Sequence, residues 1–224
     1  MAIIMDGKAL AKKIRQELKI ECDELKKKGI NPKLAVIMVG DNPASKVYVR
    51  NKSRACNEVG IEYTEYLLKG NTTQEELESL IENLNKDKKV NGILLQSPLP
   101  EHLDINKAFK EIAYLKDVDG FTPVSVGKLC IGDDTFVSCT PLGIIRMIEE
   151  YNIDISGKNV VILGRSNIVG RPLIQCCLRK NATVTVCHSR TKDIKEHTKM
   201  ADILISAIGK SKFVTSDMVK DGAV

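Results

Sequence analysis

Residues 158–172 read Lys-Asn-Val-Val-Ile-Leu-Gly-Arg-Ser-Asn-Ile-Val-Gly-Arg-Pro. Asn159–Leu163 is an apolar run that ends at Gly164, the pattern of a buried strand, and the helix after the turn carries Gly170 and Pro172 at its start. Proline suits a first helical turn, because the N–H it lacks has no partner inside the helix there. Glycine at such a turn lets the backbone approach a phosphate, and a helix N-terminus adds unpaired N–H groups and a positive dipole. The spacing is G-x-x-x-x-x-G rather than G-x-G-x-x-G, so a tight strand-to-helix turn without ligand remains an alternative on this segment alone.

Downstream the alternation continues. A helix is expected over Arg171–Lys180, a strand over Thr183–Cys187, a helix over Thr191–Met200 and a strand over Asp202–Ile208. In a dinucleotide fold the second strand ends in an acid that holds the ribose 2′-hydroxyl, about 20 residues past the first glycine. Here Thr183–Cys187 runs into His188-Ser189-Arg190, with no carboxylate before Asp193. A carboxylate would repel a 2′-phosphate, whereas Ser189 and a nearby arginine can hydrogen-bond one. Arg165, just after Gly164, is the best charged candidate, and the expectation is NADP over NAD. His188 reads as a structural residue.

Upstream the same alternation runs to the beginning. Leu10, Ile14, Leu18, Cys22 and Leu25 repeat at helical spacing through residues 6–28, and Gly29 closes the stretch. Lys33–Val39 and Ile61–Leu68 read as strands around a helix Pro43–Val59, and Thr73 with Glu76 forms a capping-box signature before the next helix. Val90–Leu95 is a third strand. Residues 96–139 are rich in Pro, Gly and Asp, with only a short helix expected near Ile105–Ile112, and a helix Pro141–Tyr151 then restores the pattern. The fold class is therefore α/β, as two α/β domains with parallel sheets covered by helices on both faces. Residues 1–138 form the first and 139–224 the second.

Composition narrows the functional classes. The 224 residues are 43% hydrophobic and 28% charged, ordinary values for a globular chain, and no apolar run is long enough to span a membrane. Residue 1 leads into a charged, periodic stretch without a signal-peptide pattern, so a cytoplasmic location is expected. Seven cysteines without a Cys-x-x-Cys pair, and only three histidines, offer no metal-site spacing; buried reduced thiols are expected. The net charge of +5 comes from lysines set among acids, and aromatic residues are only 4%, so no nucleic-acid platform is present. Small acidic ligands suit this charge.

Tyr48 and Lys52 lie four apart in the Pro43–Val59 helix and so share a face. That helix follows a strand, which puts them near the carboxyl ends of the sheet, where α/β ligand sites lie. Gln96 follows Val90–Leu95 at the same edge, and Asp119 sits on the irregular segment Lys116-Asp117-Val118-Asp119-Gly120. A lysine among polar groups in a cleft is suited to moving protons. Without further information Lys52 reads equally as a solvated surface lysine, Tyr48 as a cover residue, and Gln96 or Asp119 as turn caps.

Seven stretches, in order across nearly the whole chain, carry a resemblance. They are VGDNPASKVYVRNKSRACNEVGI, GILLQSPLPEHL, KDVDGFTPVSVGKL, CTPLGIIRMIEEY, VVILGRSNIVGRP, TVTVCHSRT and ADILISAIGK. Together they closely resemble the bifunctional methylenetetrahydrofolate dehydrogenase/methenyltetrahydrofolate cyclohydrolase proteins of the FolD type. The resemblance implies a two-domain enzyme with folate in a cleft, NAD(P) on a Rossmann-like C-terminal domain, and a homodimer. It implies that Lys52 is the acid/base group, that Tyr48 is its helix partner, and that Gln96 supports the lysine. It further implies that Asp119 holds the pterin ring and that Gly164, Arg165, Ser166 and Ser189 bind the dinucleotide. The chain departs from the pattern at Ser97, where the family usually has leucine. It also ends before a further strand, a Pro/Gly-rich segment and a closing helix, so the second domain is expected to be cut after its third strand. An enzyme with one of the two activities, or an inactive folate- or nucleotide-binding chain, is the competing expectation.

Overall fold

Five consecutive buried residues, Ala35–Val39, mark the centre of the first sheet. The computed structural model describes residues 2–224. They fold as two compact units, one of residues 6–124, the other of residues 125–224 together with those preceding Asp6.

The N-terminal unit comprises α1 (Gly7–Lys27), β1 (Lys33–Val39), α2 (Pro43–Val59), β2 (Glu62–Leu68), α3 (Gln74–Lys86), β3 (Gly92–Leu95) and α4 (Ile105–Glu111). The strands form a parallel sheet in the order β2-β1-β3. Because side chains alternate across a strand, Ala35, Ile37 and Val39 join Leu77, Ile81 and Leu84 of α3 on one face. Val36 and Met38 meet Val49 of α2 on the other. A strand buried on both faces has no polar alternation, which is why Lys33–Val39 reads as a continuous apolar run. The helix ends follow local chemistry. The Asp6 carboxylate accepts the N–H groups of Lys8 and Ala9, at 2.9 and 3.0 Å. The Asn42 side chain accepts from Ser45 with Pro43 in the first turn, and Gly60, at φ +86°, closes α2 in the left-handed region. Both halves of the Thr73–Glu76 capping box form.

The C-terminal unit repeats the arrangement with α6 (Cys139–Glu150), β4 (Asn159–Leu163), α7 (Gly170–Leu178), β5 (Thr183–Cys187), α8 (Ile194–Lys199) and β6 (Ile203–Ser206). Its sheet is parallel in the order β5-β4-β6. Val160 and Ile162 pack with Leu173 and Cys177 of α7 and with Ile145 and Ile148 of α6; Val161 and Leu163 pack with Ile194 and Ala201 on the opposite face.

Three expectations need correction. The stretch 96–139 is less irregular than its composition implies, because Pro123–Ile131 forms a helix, α5. Gly127 and the β-branched Val124 and Val126 lower its helix propensity, and only Ser125 and Leu129 are buried, so its periodicity is faint. Leu129 packs into the core of the C-terminal unit, whose main run of residues begins at Ser125. The cysteines are free, but Cys130 and Cys139 are exposed rather than buried. The α8 helix starts only at Ile194, since Asp193 has φ +49°. Among the described residues no helix is long and apolar enough to cross a membrane.

Candidate active site

In a sheet ordered β2-β1-β3 the chain leaves β1 toward one neighbour while the other neighbour lies on the opposite side, so a crevice opens at the carboxyl ends of β1 and β3. Gln96 occupies that crevice. Its backbone N–H donates to Ile37 O at 2.8 Å, extending the β3 ladder by one bond, and the residue is buried. Lys52, half-buried in the middle of α2, donates from Nζ to Gln96 Oε1 at 3.0 Å. Gln96 Nε2 donates to Ser97 O at 2.7 Å, which leaves Oε1 as the face turned to the lysine. Tyr48, one turn before Lys52, is 62% exposed, and its hydroxyl has no hydrogen-bond partner among the described residues.

Asp119 reaches the same region through a short, heavily anchored loop. Lys116 Nζ donates to Leu84 O and Asp87 O at the end of α3, both at 2.7 Å, and Asp117 bridges Ile93 of β3 in parallel fashion. Val118 packs with Leu94, Val36 and Val49, and lies so close to Gly92 that any side chain there would strike it. Asp119 is half-buried, and this burial pushes its carboxyl up to about 6; the Lys52 ammonium pulls it down and the Asp117 carboxylate adds to the rise. Lys52, Gln96 and Asp119 are therefore brought together.

A raised carboxyl is destabilising once ionised. Unfolded Asp119 titrates near 4 and folded Asp119 at about 6, so between those values the folded state holds the proton more tightly and stability falls as pH rises. Asp119→Asn is expected to stabilise the ligand-free protein on the order of 1–3 kcal/mol at pH 7 and to have almost no effect near pH 4. Thermal unfolding at the two pH values checks this; equal shifts at both would contradict the strained carboxylate.

The C-terminal unit places a second crevice at the same point of the same topology, between β4 and β6. Gly164 N donates to Cys187 O and Ala207 N to Leu163 O, both at 2.8 Å, so the ends of all three strands are laced together. Gly164 sits at φ +112°, and a Cβ there would lie 2.6 Å from Ala207 O. A Cβ on Gly170 would collide with Gly164 O and come within 2.7 Å of Arg165 Cα, so both glycines are demanded by the tightness of the turn. Ser166 organises that turn: its Oγ accepts Val169 N–H at 3.2 Å and its carbonyl accepts Arg171 N–H at 3.0 Å. Arg165, Ser166, Ser189 and Arg190 are exposed at this edge. His188 is a structural residue, as expected: its Nδ1 accepts the Arg190 N–H at 3.1 Å and its own N–H donates to Thr191 Oγ1 at 2.9 Å. Among the described residues no group of three or more His, Cys, Asp or Glu is placed to hold a metal ion.

Two family models match in tandem. Residues 5–119 match the catalytic domain of tetrahydrofolate dehydrogenase/cyclohydrolase, and residues 138–224 match its NAD(P)-binding domain. The chain belongs to the tetrahydrofolate dehydrogenase/cyclohydrolase family. It is 56% identical to the bifunctional FolD protein of Acetivibrio thermocellus, over all of this chain and 78% of that protein. It is 57% identical to the FolD protein of Agathobacter rectalis, over all of this chain and 80% of that protein. The crystal structure of the Campylobacter jejuni FolD enzyme superposes with a TM-score of 0.98 at 49% identity, covering 99% of this chain and 79% of that one. That of the Trypanosoma brucei enzyme, complexed with NADP and an inhibitor, superposes with 0.95 at 37% identity, covering 100% and 77%.

Within this tetrahydrofolate dehydrogenase/cyclohydrolase frame the residue missed by sequence reading is Asp117. It is 2% exposed and accepts from Gly120 N, Phe121 N and Thr122 N at 2.9, 3.2 and 2.8 Å. The signal was present as an Asp three residues before a Gly, in Asp117-Val118-Asp119-Gly120, but it reads as an ordinary turn until the bonds are seen.

Proposed function

We propose that the chain oxidises 5,10-methylenetetrahydrofolate to 5,10-methenyltetrahydrofolate with NADP and hydrolyses the product to 10-formyltetrahydrofolate, using Lys52 as the acid/base group of the second step. The observation that carries this reading is the Lys52 Nζ to Gln96 Oε1 bond at the β1/β3 crevice, with the Asp119 carboxyl in the field of the same ammonium. Asp119 offers two oxygens to the adjacent N–H donors of a 2-amino-4-oxo pterin, a charge-assisted pairing available once the carboxyl is ionised. Gln96 fixes the lysine, and Tyr48, exposed one turn away, provides a ring and hydroxyl for the substrate side of the helix. In the first step the N5 and N10 lone pairs stabilise the cation left behind, so alignment is the protein's task and no strong acid is needed. In the second, water adds to that cation and the ring opens, and Lys52 carries the protons this requires.

The donor set of the C-terminal turn fits NADP. Arg165, Ser166, Ser189 and Arg190 line the edge, no carboxylate occurs from 188 to 192, and the N–H groups of Asn167 and Ile168 have no acceptor among the described residues. Bound there, NADP supplies the hydride acceptor. Ser189→Asp is expected to raise the NADP KM at least about 10-fold and leave the NAD KM nearly unchanged, since a carboxylate opposes the 2′-phosphate alone. Homodimeric assembly and a cytoplasmic location belong to the same reading. An absorbance assay of methenyltetrahydrofolate formation and decay with the purified chain, methylenetetrahydrofolate and NADP tests it; absence of both reactions would overturn it.

A further inference from the structure

We infer that Asp117 is a positioning residue of the folate site, one that fixes the loop carrying Asp119 and places a second negative charge beside it. The inference rests on the proposed pairing of Asp119 with the pterin. Asp117 turns its carboxylate back into its own chain, Oδ1 accepting from Gly120 and Phe121 and Oδ2 from Thr122, so both oxygens are engaged with the peptide units that immediately follow Asp119. The ends of the segment are fixed independently. Lys116 is tied to α3, Asp117 is laddered to Ile93, and Phe121 stacks edge-on against Phe109 of α4 with ring centres 5.2 Å apart. Val118 is held by its packing with Leu94, Val36 and Val49, so what remains adjustable is Asp119 and Gly120, and the Asp117 bonds remove that freedom.

A buried carboxylate costs solvation, and a loop staple alone could be made with a neutral asparagine. The charge has a second consequence. The charges acting on Asp119 are Lys52 of α2, which favours its ionised form, and Asp117, which opposes it along with burial. Burial is the main cause that raises the Asp119 carboxyl, and the Asp117 carboxylate adds to that rise, so pairing with a ligand's N–H donors works against both.

Asp117→Asn separates the two roles. It keeps the shape but sets an NH2 group against at least one backbone N–H, and it removes the charge. The tetrahydrofolate Kd is expected to rise about 10-fold at pH 7, as for one lost charge-assisted bond at a fixed loop. The KM for NADP is expected to stay within about two-fold, because its site is in the other unit. The acid limb of the KM profile for methylenetetrahydrofolate should move to lower pH, since Asp119 loses a negative neighbour. Asp117→Glu keeps the charge with misplaced oxygens, so its KM should rise with the limb where the wild type has it; it also serves should the asparagine variant not fold. A folded Asp117→Asn protein with wild-type affinity and an unmoved limb would overturn the inference. Asp119→Asn is measured alongside: if that variant binds tetrahydrofolate as the wild type does, the pterin assignment fails, whereas loss of binding there with none in Asp117→Asn sinks only the positioning role.

Discussion

Lys52→Met is expected to lower methenyltetrahydrofolate hydrolysis by about 10²–10⁴-fold, the range for removing a positioned general acid/base group, while tetrahydrofolate still binds. Methionine has nearly the length and shape of the lysine stem, so the half-buried position on α2 stays filled. The loss falls on Gln96, whose Oε1 forfeits its donor in a buried place, a destabilisation of about 1–3 kcal/mol unless water replaces it. The dehydrogenase step is expected to suffer far less, because no proton moves in it. The pH of the measurement matters. The Lys52 charge holds the Asp119 carboxyl down against burial, so its removal lets that carboxyl rise further above about 6 and weakens pterin pairing near neutrality. Measured at pH 8, well above the wild-type Asp119 value of about 6, folate affinity is less sensitive to that rise and better isolates the chemical role. Full hydrolysis by the folded variant at that pH would remove Lys52 from the mechanism.

Gly164→Ala is expected to cost about 2–5 kcal/mol and to weaken NADP binding by more than about 10-fold. Two effects add. At φ +112° a Cβ-bearing residue is strained, and the methyl would lie 2.6 Å from Ala207 O. That carbonyl cannot retreat easily, because Ala207 N is bonded to Leu163 O at 2.8 Å and the shift would unzip β4 from β6. Calorimetric unfolding together with NADP titration reads both effects. Tetrahydrofolate affinity should stay within about two-fold, as Lys52, Gln96 and Asp119 belong to the other unit. Gly127→Ala is the comparison: its added methyl meets nothing within 4 Å in helix α5, and it is expected to stabilise by about 0.5–1 kcal/mol. If Gly164→Ala unfolded and bound NADP like the wild type, the turn would be looser than its geometry states.

Much of this was legible in the chain because the signals are local. The runs at 33–39, 159–163 and 183–187 became strands β1, β4 and β5 with the bounds read from sequence, and Pro43–Val59 became α2, since apolar period, proline placement and closing glycine act within one element. Helix α5 failed that test: Gly127 and the two valines weaken its intrinsic signal, and only packing of Leu129 into a core assembled from distant segments stabilises it. Lys52 and Gln96 stand 44 positions apart, and the resemblance, not the spacing, paired them before the bond was seen.

By itself the sequence determined the alternation of helices and strands, the parallel sheets, the family, and the residue types that each site would use. Tertiary structure alone decided which neighbours each strand takes, and so where the crevices open. It decided that Gln96 turns its oxygen to Lys52 while Tyr48 stays exposed, and that Asp117 spends both oxygens holding the loop on which Asp119 becomes reluctant to ionise. The reason is physical. Propensity and periodicity are set by residues within a few positions of one another, whereas burial, field and hydrogen-bond partner are set by groups that meet only when the sheet has closed around them.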